Sequence, residues 1–136
     1  MYDKPDTRSI ESAPTETAPD GSAVRPLCRI TNLGSFAHFQ LESGEIARAV
    51  SHATVQEIWY VIAGTGRMWR QQGNDEPTVE DLRPGVCLTI PLGTAFQFRA
   101  DGIGTALEVV AVTMPPWPPN GEDESRPEQG PWVPTF

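Results

Sequence analysis

Turn-forming residues interrupt this chain so often that only short segments of regular structure fit between them. In its middle part, runs rich in β-branched and aromatic residues are bounded by glycine, proline, asparagine or aspartate, a pattern typical of β-strands joined by tight turns. No segment keeps the 3.6-residue apolar period of a helix over three turns. The pattern predicts nine strands, at 27–32, 35–42, 47–52, 57–63, 66–71, 78–82, 86–90, 95–100 and 105–113.

The number and spacing of these strands predict an all-β protein. Short strands that recur at roughly ten-residue intervals are typical of antiparallel sandwiches and barrels. The length of 136 residues fits one domain with a buried core. A barrel of this size fills its floor with side chains and leaves a pocket at its mouth.

Proline divides the chain into three parts. Of 14 prolines, four lie in 1–26 and seven in 115–136. Residues 1–25 carry few large apolar side chains, and such a segment cannot offset the entropy lost on ordering. We therefore predict a mobile N-terminal arm there and a barrel over 26–114.

The C-terminal segment 115–136 differs from the N-terminal arm because it carries large apolar side chains. Trp117, Trp132 and Phe136 are spaced among its prolines. Aromatic residues in an extended, proline-rich segment favour a strap that lies on the domain, with Trp117 near the mouth of the barrel. A disordered tail is the alternative.

Charge and cysteine content limit the classes of partner. The chain has 18 acidic and 10 basic residues and a net charge of −8, so nucleic acid and membrane surfaces are not expected as partners. No apolar run approaches the roughly 20 residues of a membrane span, and the N-terminus lacks the apolar region of a secretion signal. Cys28 and Cys87 are too few for a disulfide scaffold or a zinc–cysteine site. These features predict a cytoplasmic protein.

Residues 44–64 resemble the first motif of the cupin family. That motif runs G, five residues, H, one residue, H, three or four residues, E, six residues, G. Gly44, His52, Glu57 and Gly64 stand at matching positions, and Val50 replaces the first histidine.

Residues 85–100 resemble the second cupin motif, which runs G, five residues, P, one residue, G, two residues, H, three residues, N. Gly85, Pro91 and Gly93 fit, whereas Phe96 replaces the histidine and Ala100 the asparagine. The chain is thus similar to a small single-domain cupin with degenerate motifs. The resemblance implies a double-stranded β-helix, or jelly-roll, barrel with extended proline-rich arms.

The resemblance also implies a divalent metal, which cupins bind with three histidines and one glutamate. This chain keeps His52 and Glu57 at ligand positions and has lost the other two ligands. Two protein ligands seldom hold a metal tightly, so we expect weak or absent metal binding. His38 or Gln40 on a neighbouring strand could act as a surrogate ligand, and that alternative stays open.

Strand alternation predicts which side chains share the interior of the barrel. Successive side chains in a strand point to opposite faces, so residues two apart lie together. The interior is predicted to bind a small, partly apolar, anionic or aromatic molecule, with Arg48 contacting either Glu57 or an anionic group of that molecule. A barrel core without a ligand is the alternative for the same residues. The predicted set is Arg48, Val50, His52, Glu57, Trp59, Phe96 and Phe98.

Three classes of function remain open at this point. The first is a small-molecule-binding cupin with a degenerate metal site. The second is an enzyme of isomerase, epimerase, cyclase or lyase type, in which His52 and Glu57 act as acid and base or hold a metal with surrogate ligands. The third is an interaction protein. We also expect a homodimer that covers the strand edge at 26–33.

Overall fold

The structure is a computed structural model that describes residues 2–136. The described residues form eleven strands and one short helix. The elements are β1 (Glu16–Thr17), β2 (Ala23–Ile30), β3 (Gly34–Leu41), β4 (Val50–His52), β5 (Gln56–Ala63), β6 (Gly66–Gln72), β7 (Thr78–Leu82), β8 (Cys87–Ile90), β9 (Thr94–Ala100), β10 (Leu107–Met114), α1 (Gly121–Glu124) and β11 (Ser125–Pro127).

The strands form two antiparallel sheets. One has the order β1-β2-β3-β10-β5-β8, and the other has the order β11-β4-β9-β6-β7. Each of the nine predicted strands has a counterpart, which confirms the all-β prediction. Chain order and sheet order differ because consecutive strands cross between the sheets, as in a jelly roll.

The core lies between the sheets and follows the two-residue period of the strands. In β5 the even residues face outward, and Glu57, Trp59 and Val61 are buried. In β10, Leu107 and Val109 are buried in the same way. Each large apolar side chain buried here contributes about 1.5–3 kcal/mol.

Gly64 shows why a motif glycine is needed at the end of β5. Its φ is +80°, a backbone conformation that favours glycine. A Cβ atom at this position would lie 2.2 Å from the carbonyl oxygen of Ala106. The glycine therefore allows the chain to pass closely beside the start of β10.

The N-terminal segment contributes to the first sheet. The boundary predicted at residue 26 falls inside β2, because β2 begins at Ala23. β1 pairs with Ala23 and Val24, and the carbonyl oxygen of Asp20 accepts a hydrogen bond from the backbone of Arg48. Among the described residues, β1 pairs with no other residue of β2. Pairing of the strand edge at 26–33 with a second copy of the chain stays a prediction.

The C-terminal strap (115–136) contacts the barrel along its length. β11 pairs with β4, and the backbone of Thr135 donates to the carbonyl oxygen of Ile46. The ring of Phe136 packs on Gly21, where a Cβ atom would lie 2.5 Å from Cγ of the phenylalanine. None of the described residues forms a helix long and apolar enough to cross a membrane.

Candidate small-molecule site

A cavity of about 440 Å³ lies at one end of the barrel. Its walls come from both sheets, the N-terminal segment and the C-terminal strap. Aromatic side chains form much of the wall, and a few polar groups face the interior. This combination is typical of sites that bind small molecules. The aromatic lining residues are Phe36, Phe39, Trp59, Phe96 and Trp117.

A buried histidine–glutamate pair forms the polar part of the wall. His52 Nε2 lies 2.7 Å from Glu57 Oε2, with the two side chains only 7 % and 3 % exposed. Trp59 Nε1 donates to the other carboxylate oxygen of Glu57 at 3.3 Å. A carboxylate buried among aromatic rings needs such partners, because an unpaired one would cost several kcal/mol.

Aromatic contacts fix the ring of His52 from two sides. Phe96 meets it edge-on with ring centroids 5.3 Å apart, and Trp117 does so at 5.1 Å. Its Nδ1 lies 3.5 Å from the hydroxyl oxygen of Ser125. The predicted pairing of His52 with Glu57 is thus present and belongs to the cavity wall.

Trp59 is the centre of the aromatic cluster. Phe39 stacks on it in parallel, with centroids 5.7 Å apart. Phe96 and Phe98 meet it edge-on. Phe98 is fully buried and lies outside the cavity lining, so it supports Trp59 from behind instead of facing a ligand. Val50 and Phe96 line the cavity as predicted.

Arg48 does not lie in the cavity, and the alternation argument for it is wrong. Its side chain is exposed, and its guanidinium donates to the carbonyl oxygen of Pro19 at 3.4 Å. Strand β4 begins only at Val50, and Ala49 and Val50 are both buried. The two-residue period is therefore interrupted between residues 48 and 50.

His38 and Gln40 are not placed to act as surrogate metal ligands. Neither residue belongs to the cavity lining, although Phe36, Ala37 and Phe39 of the same strand do. Instead, His38 pairs with side chains of the neighbouring strands β2 and β10. Its Nε2 lies 2.8 Å from Glu108 Oε1, and its Nδ1 lies 3.2 Å from the guanidinium of Arg25. This second histidine–glutamate pair is separate from the cavity.

Asp20 is a cavity residue that the sequence reasoning missed. It is 7 % exposed and lines the cavity from the turn between β1 and β2. Burial raises the pKa of its carboxyl group above the ordinary value of 3.8, and the charge of Glu57 acts in the same direction. The polar composition of 1–25 gave no signal of a buried position here.

Trp117 and Ser125 join the cavity because Glu124 fixes the strap. The backbone N–H groups of Thr54 and Val55 donate to Glu124 Oε2 at 2.7 and 3.1 Å. Burial alone would raise the pKa of Glu124, but these bonds and the Thr54 hydroxyl outweigh it and lower the pKa below 4.5. Glu124 thereby anchors the strap beside His52.

Comparison with known proteins identifies the architecture. No protein-family model matches this chain, and no curated protein matches it. Among the solved structures that match is CapF, a capsular polysaccharide assembling protein from Staphylococcus aureus, with a TM-score of 0.71 and 15 % identity over 84 % of this chain and 33 % of CapF. Streptomyces Pac13 with uridine matches with a TM-score of 0.68 and 16 % identity over 93 % of this chain and 92 % of Pac13. Protein SO0799 from Shewanella oneidensis matches with a TM-score of 0.71 and 19 % identity over 88 % of this chain and 81 % of SO0799.

The chain has the cupin-type double-stranded β-helix fold. CapF and Pac13 are barrels of this type, and the predicted all-β barrel is confirmed. The chain spans about a third of CapF, 33 % of its length, but nearly all of Pac13, 92 %. Pac13 is described as a nucleoside dehydratase. Identities this low show the fold alone.

The donor groups of this cupin-type barrel do not fit a divalent metal. Val50 and Phe96 pair across β4 and β9 and supply no donor atom. His52 Nε2 and Glu57 are already bonded to each other. Among the described residues, no group of three histidine, cysteine, aspartate or glutamate side chains is arranged to hold a metal ion. Zinc and other transition metals usually need three or four such ligands.

The double substitution Val50→His/Phe96→His is expected to raise metal affinity. It returns histidines to two adjacent positions beside His52 and Glu57, giving four donors where the natural chain has two. Zinc titration monitored by calorimetry would measure the gain. Binding by the natural chain as tight as by the double variant would contradict the expectation, whereas Val50→His alone should give an intermediate affinity.

Proposed function

We propose that this chain is a cupin-type protein that binds a small molecule in the cavity and transfers protons on it. In this proposal the protein is an enzyme of the isomerase, epimerase, cyclase or lyase type. The observation that carries the proposal is the His52–Glu57 pair, held at 2.7 Å in the wall of a mostly aromatic cavity. A hydrogen-bonded imidazole and carboxylate can move a proton without any cofactor.

In the pair, the carboxylate of Glu57 orients the imidazole of His52 and stabilises its protonated form. When His52 Nε2–H donates to Glu57, the ring is fixed in one tautomer, and the negative charge stabilises the imidazolium that forms on proton uptake. Trp59 holds the second oxygen of the carboxylate in place. Nδ1, 3.5 Å from Ser125, is then the nitrogen that accepts a proton from the ligand.

The lining indicates a ligand with a flat ring and a polar end. Phe39 and Trp59 present parallel rings to the cavity, and the strap contributes the ring of Trp117. Arg8 and Arg29 lie at the lining too and suit an anionic substituent. The likeness to Pac13, solved with uridine, supports including nucleosides among the compounds tested.

A ligand that enters the cavity is expected to stabilise the natural chain against heat. The measurement is a thermal-shift screen of ring-containing metabolites, uridine included, followed by calorimetry of the hits. Trp117→Ala should weaken binding roughly fivefold to tenfold, because one aromatic contact contributes about 1 kcal/mol.

Two matched variants control this screen. Trp132 lies on the same strap, but its ring packs against the guanidinium of Arg99 and does not line the cavity. Trp132→Ala should therefore leave the affinity for the ligand unchanged. Arg48→Ala should do the same, because Arg48 is exposed. Hits that weaken equally in all three variants would place the ligand elsewhere, and the absence of any hit would refute the proposal.

A further inference from the structure

Asp20 is a buried acid with one carboxylate oxygen left for a ligand. Its Oδ1 accepts the backbone N–H of Ser22 at 2.9 Å and the hydroxyl of Ser22 at 2.6 Å. Its Oδ2 accepts no hydrogen bond from the described residues, although the side chain is more than nine-tenths buried and lines the cavity. Oδ2 is not one of the fully enclosed polar side-chain atoms without a partner, so it opens onto the cavity and is available to a bound molecule.

The turn that carries Asp20 is held firmly. The backbone of Ala18 donates to Ser22 at 2.8 Å, and Gly21 donates back to Ala18 at 2.9 Å. Gly21 has a φ of +98° and lies against the ring of Phe136. Because the turn is closed by its own hydrogen bonds and covered from outside, the carboxyl group keeps one position in the wall.

Burial opposes the ionisation of Asp20. Burial is the largest effect, and Glu57 of β5 adds repulsion, whereas His52 of β4 and the bonds from Ser22 act in the opposite direction. Arg48 gives Asp20 only its backbone N–H and turns its guanidinium to Pro19. The other ionisable lining groups are Arg8, Glu16 and Arg29.

We infer that Asp20 is a second proton-handling residue of the cavity, which stays protonated when the ligand enters and donates a hydrogen bond from Oδ2 to a ligand oxygen. The inference rests on the proposed function, because it gives the cavity a proton donor beside the His52–Glu57 pair. It selects ligands with a hydroxyl, carbonyl or carboxylate oxygen at this end and disfavours cations.

Carbon-13 NMR of the full chain, with labelled aspartate side-chain carboxyl groups, tests the protonation state directly. The Asp20 signal is identified by its loss in Asp20→Asn. It is expected to titrate above the midpoint of an unperturbed aspartate, about 3.9, because burial raises the pKa of this carboxyl group. Asp3 is the internal reference, because hydrogen bonds from Thr31 lower its pKa below 3.8. Titration of Asp20 at or below the Asp3 midpoint would overturn the inference.

Three ring compounds of one shape test the contact with a ligand: benzyl alcohol, benzoate and benzylamine. Below the Asp20 midpoint, benzyl alcohol and benzoate should shift the Asp20 signal and bind more tightly than benzylammonium. Above the Asp20 midpoint, benzoate affinity should fall by up to about tenfold per pH unit. Asp20→Asn keeps the acceptor for Ser22 and cannot ionise, so it should remove most of this pH dependence.

The outcomes separate this inference from the proposed function. A preference for benzylammonium that disappears in Asp20→Asn, or no shift of the Asp20 signal with any probe at millimolar concentration, would refute the ligand contact. Glu108→Gln, an acid outside the cavity, is the control variant and should retain the preference for benzyl alcohol and benzoate over benzylammonium. If the His52–Glu57 pair proves to have no catalytic role, the proposed function fails. The titration midpoint of Asp20 in the natural chain is unaffected by that result.

Discussion

Glu57→Gln is expected to lower turnover of any substrate found for this cavity by about 10²- to 10⁴-fold, the usual contribution of general acid–base catalysis. Glutamine has nearly the shape of glutamate and can still accept a hydrogen bond from His52. It lacks the charge that stabilises an imidazolium and cannot accept bonds at both terminal atoms. Ligand affinity should change little, so the loss should appear in kcat and not in KM.

The second histidine–glutamate pair provides a matched control for this prediction. His38 of β3 and Glu108 of β10 are 2.8 Å apart and do not line the cavity. Glu108→Gln should leave kcat unchanged. If Glu57→Gln retains full turnover, the pair has a structural role and the cavity is a binding site without acid–base chemistry.

Glu124→Ala is expected to lower the free energy of unfolding by about 3 kcal/mol, because it leaves a hydroxyl and two N–H donors without their charged acceptor. Those donors belong to Thr54 and Val55. Urea denaturation followed by tryptophan fluorescence measures the change. Because the strap carries Trp117 and Ser125, the variant should also lose ligand affinity.

The effect of Glu124 should depend on pH in a defined direction. Its pKa is lowered in the folded protein, so its carboxylate stabilises the fold above the unfolded value of 4.5 and this contribution is lost as the pH falls through the folded pKa. The difference between the natural chain and Glu124→Ala should therefore shrink in acid. Glu128→Ala is the control, since Glu128 is exposed and accepts one bond from Ser51. An equal loss in both variants would contradict the anchoring role.

The sequence predicted the barrel well because its strands alternate regularly. Glu57 and Trp59 lie on one face of β5 as the two-residue period requires. The same rule located Val50 and Phe96, which pair across two strands. It placed Arg48 wrongly because β4 begins only at Val50, and alternation has no meaning in the irregular segment before it.

The residues that the sequence did not predict come from the two ends of the chain. Asp20 lies in a turn, where side-chain direction depends on local hydrogen bonds and not on a period. Ser125 lines the cavity, and Glu124 anchors the strap beside it. Both are positioned by contacts with residues 52–55, more than sixty positions earlier. Trp117 could be anticipated, because it follows directly on the last barrel strand.

The contact between Gly21 and Phe136 has a consequence for the order in which this protein is made. The ribosome completes the turn that carries Asp20 early, and it adds the ring that covers this turn only after every strand of both sheets has been synthesised. Domains generally fold as units during and after synthesis, so the barrel can assemble while one wall of its cavity is still uncovered. Attachment of the Phe136 ring to this turn, and not formation of the sheets, is then the event that covers this wall.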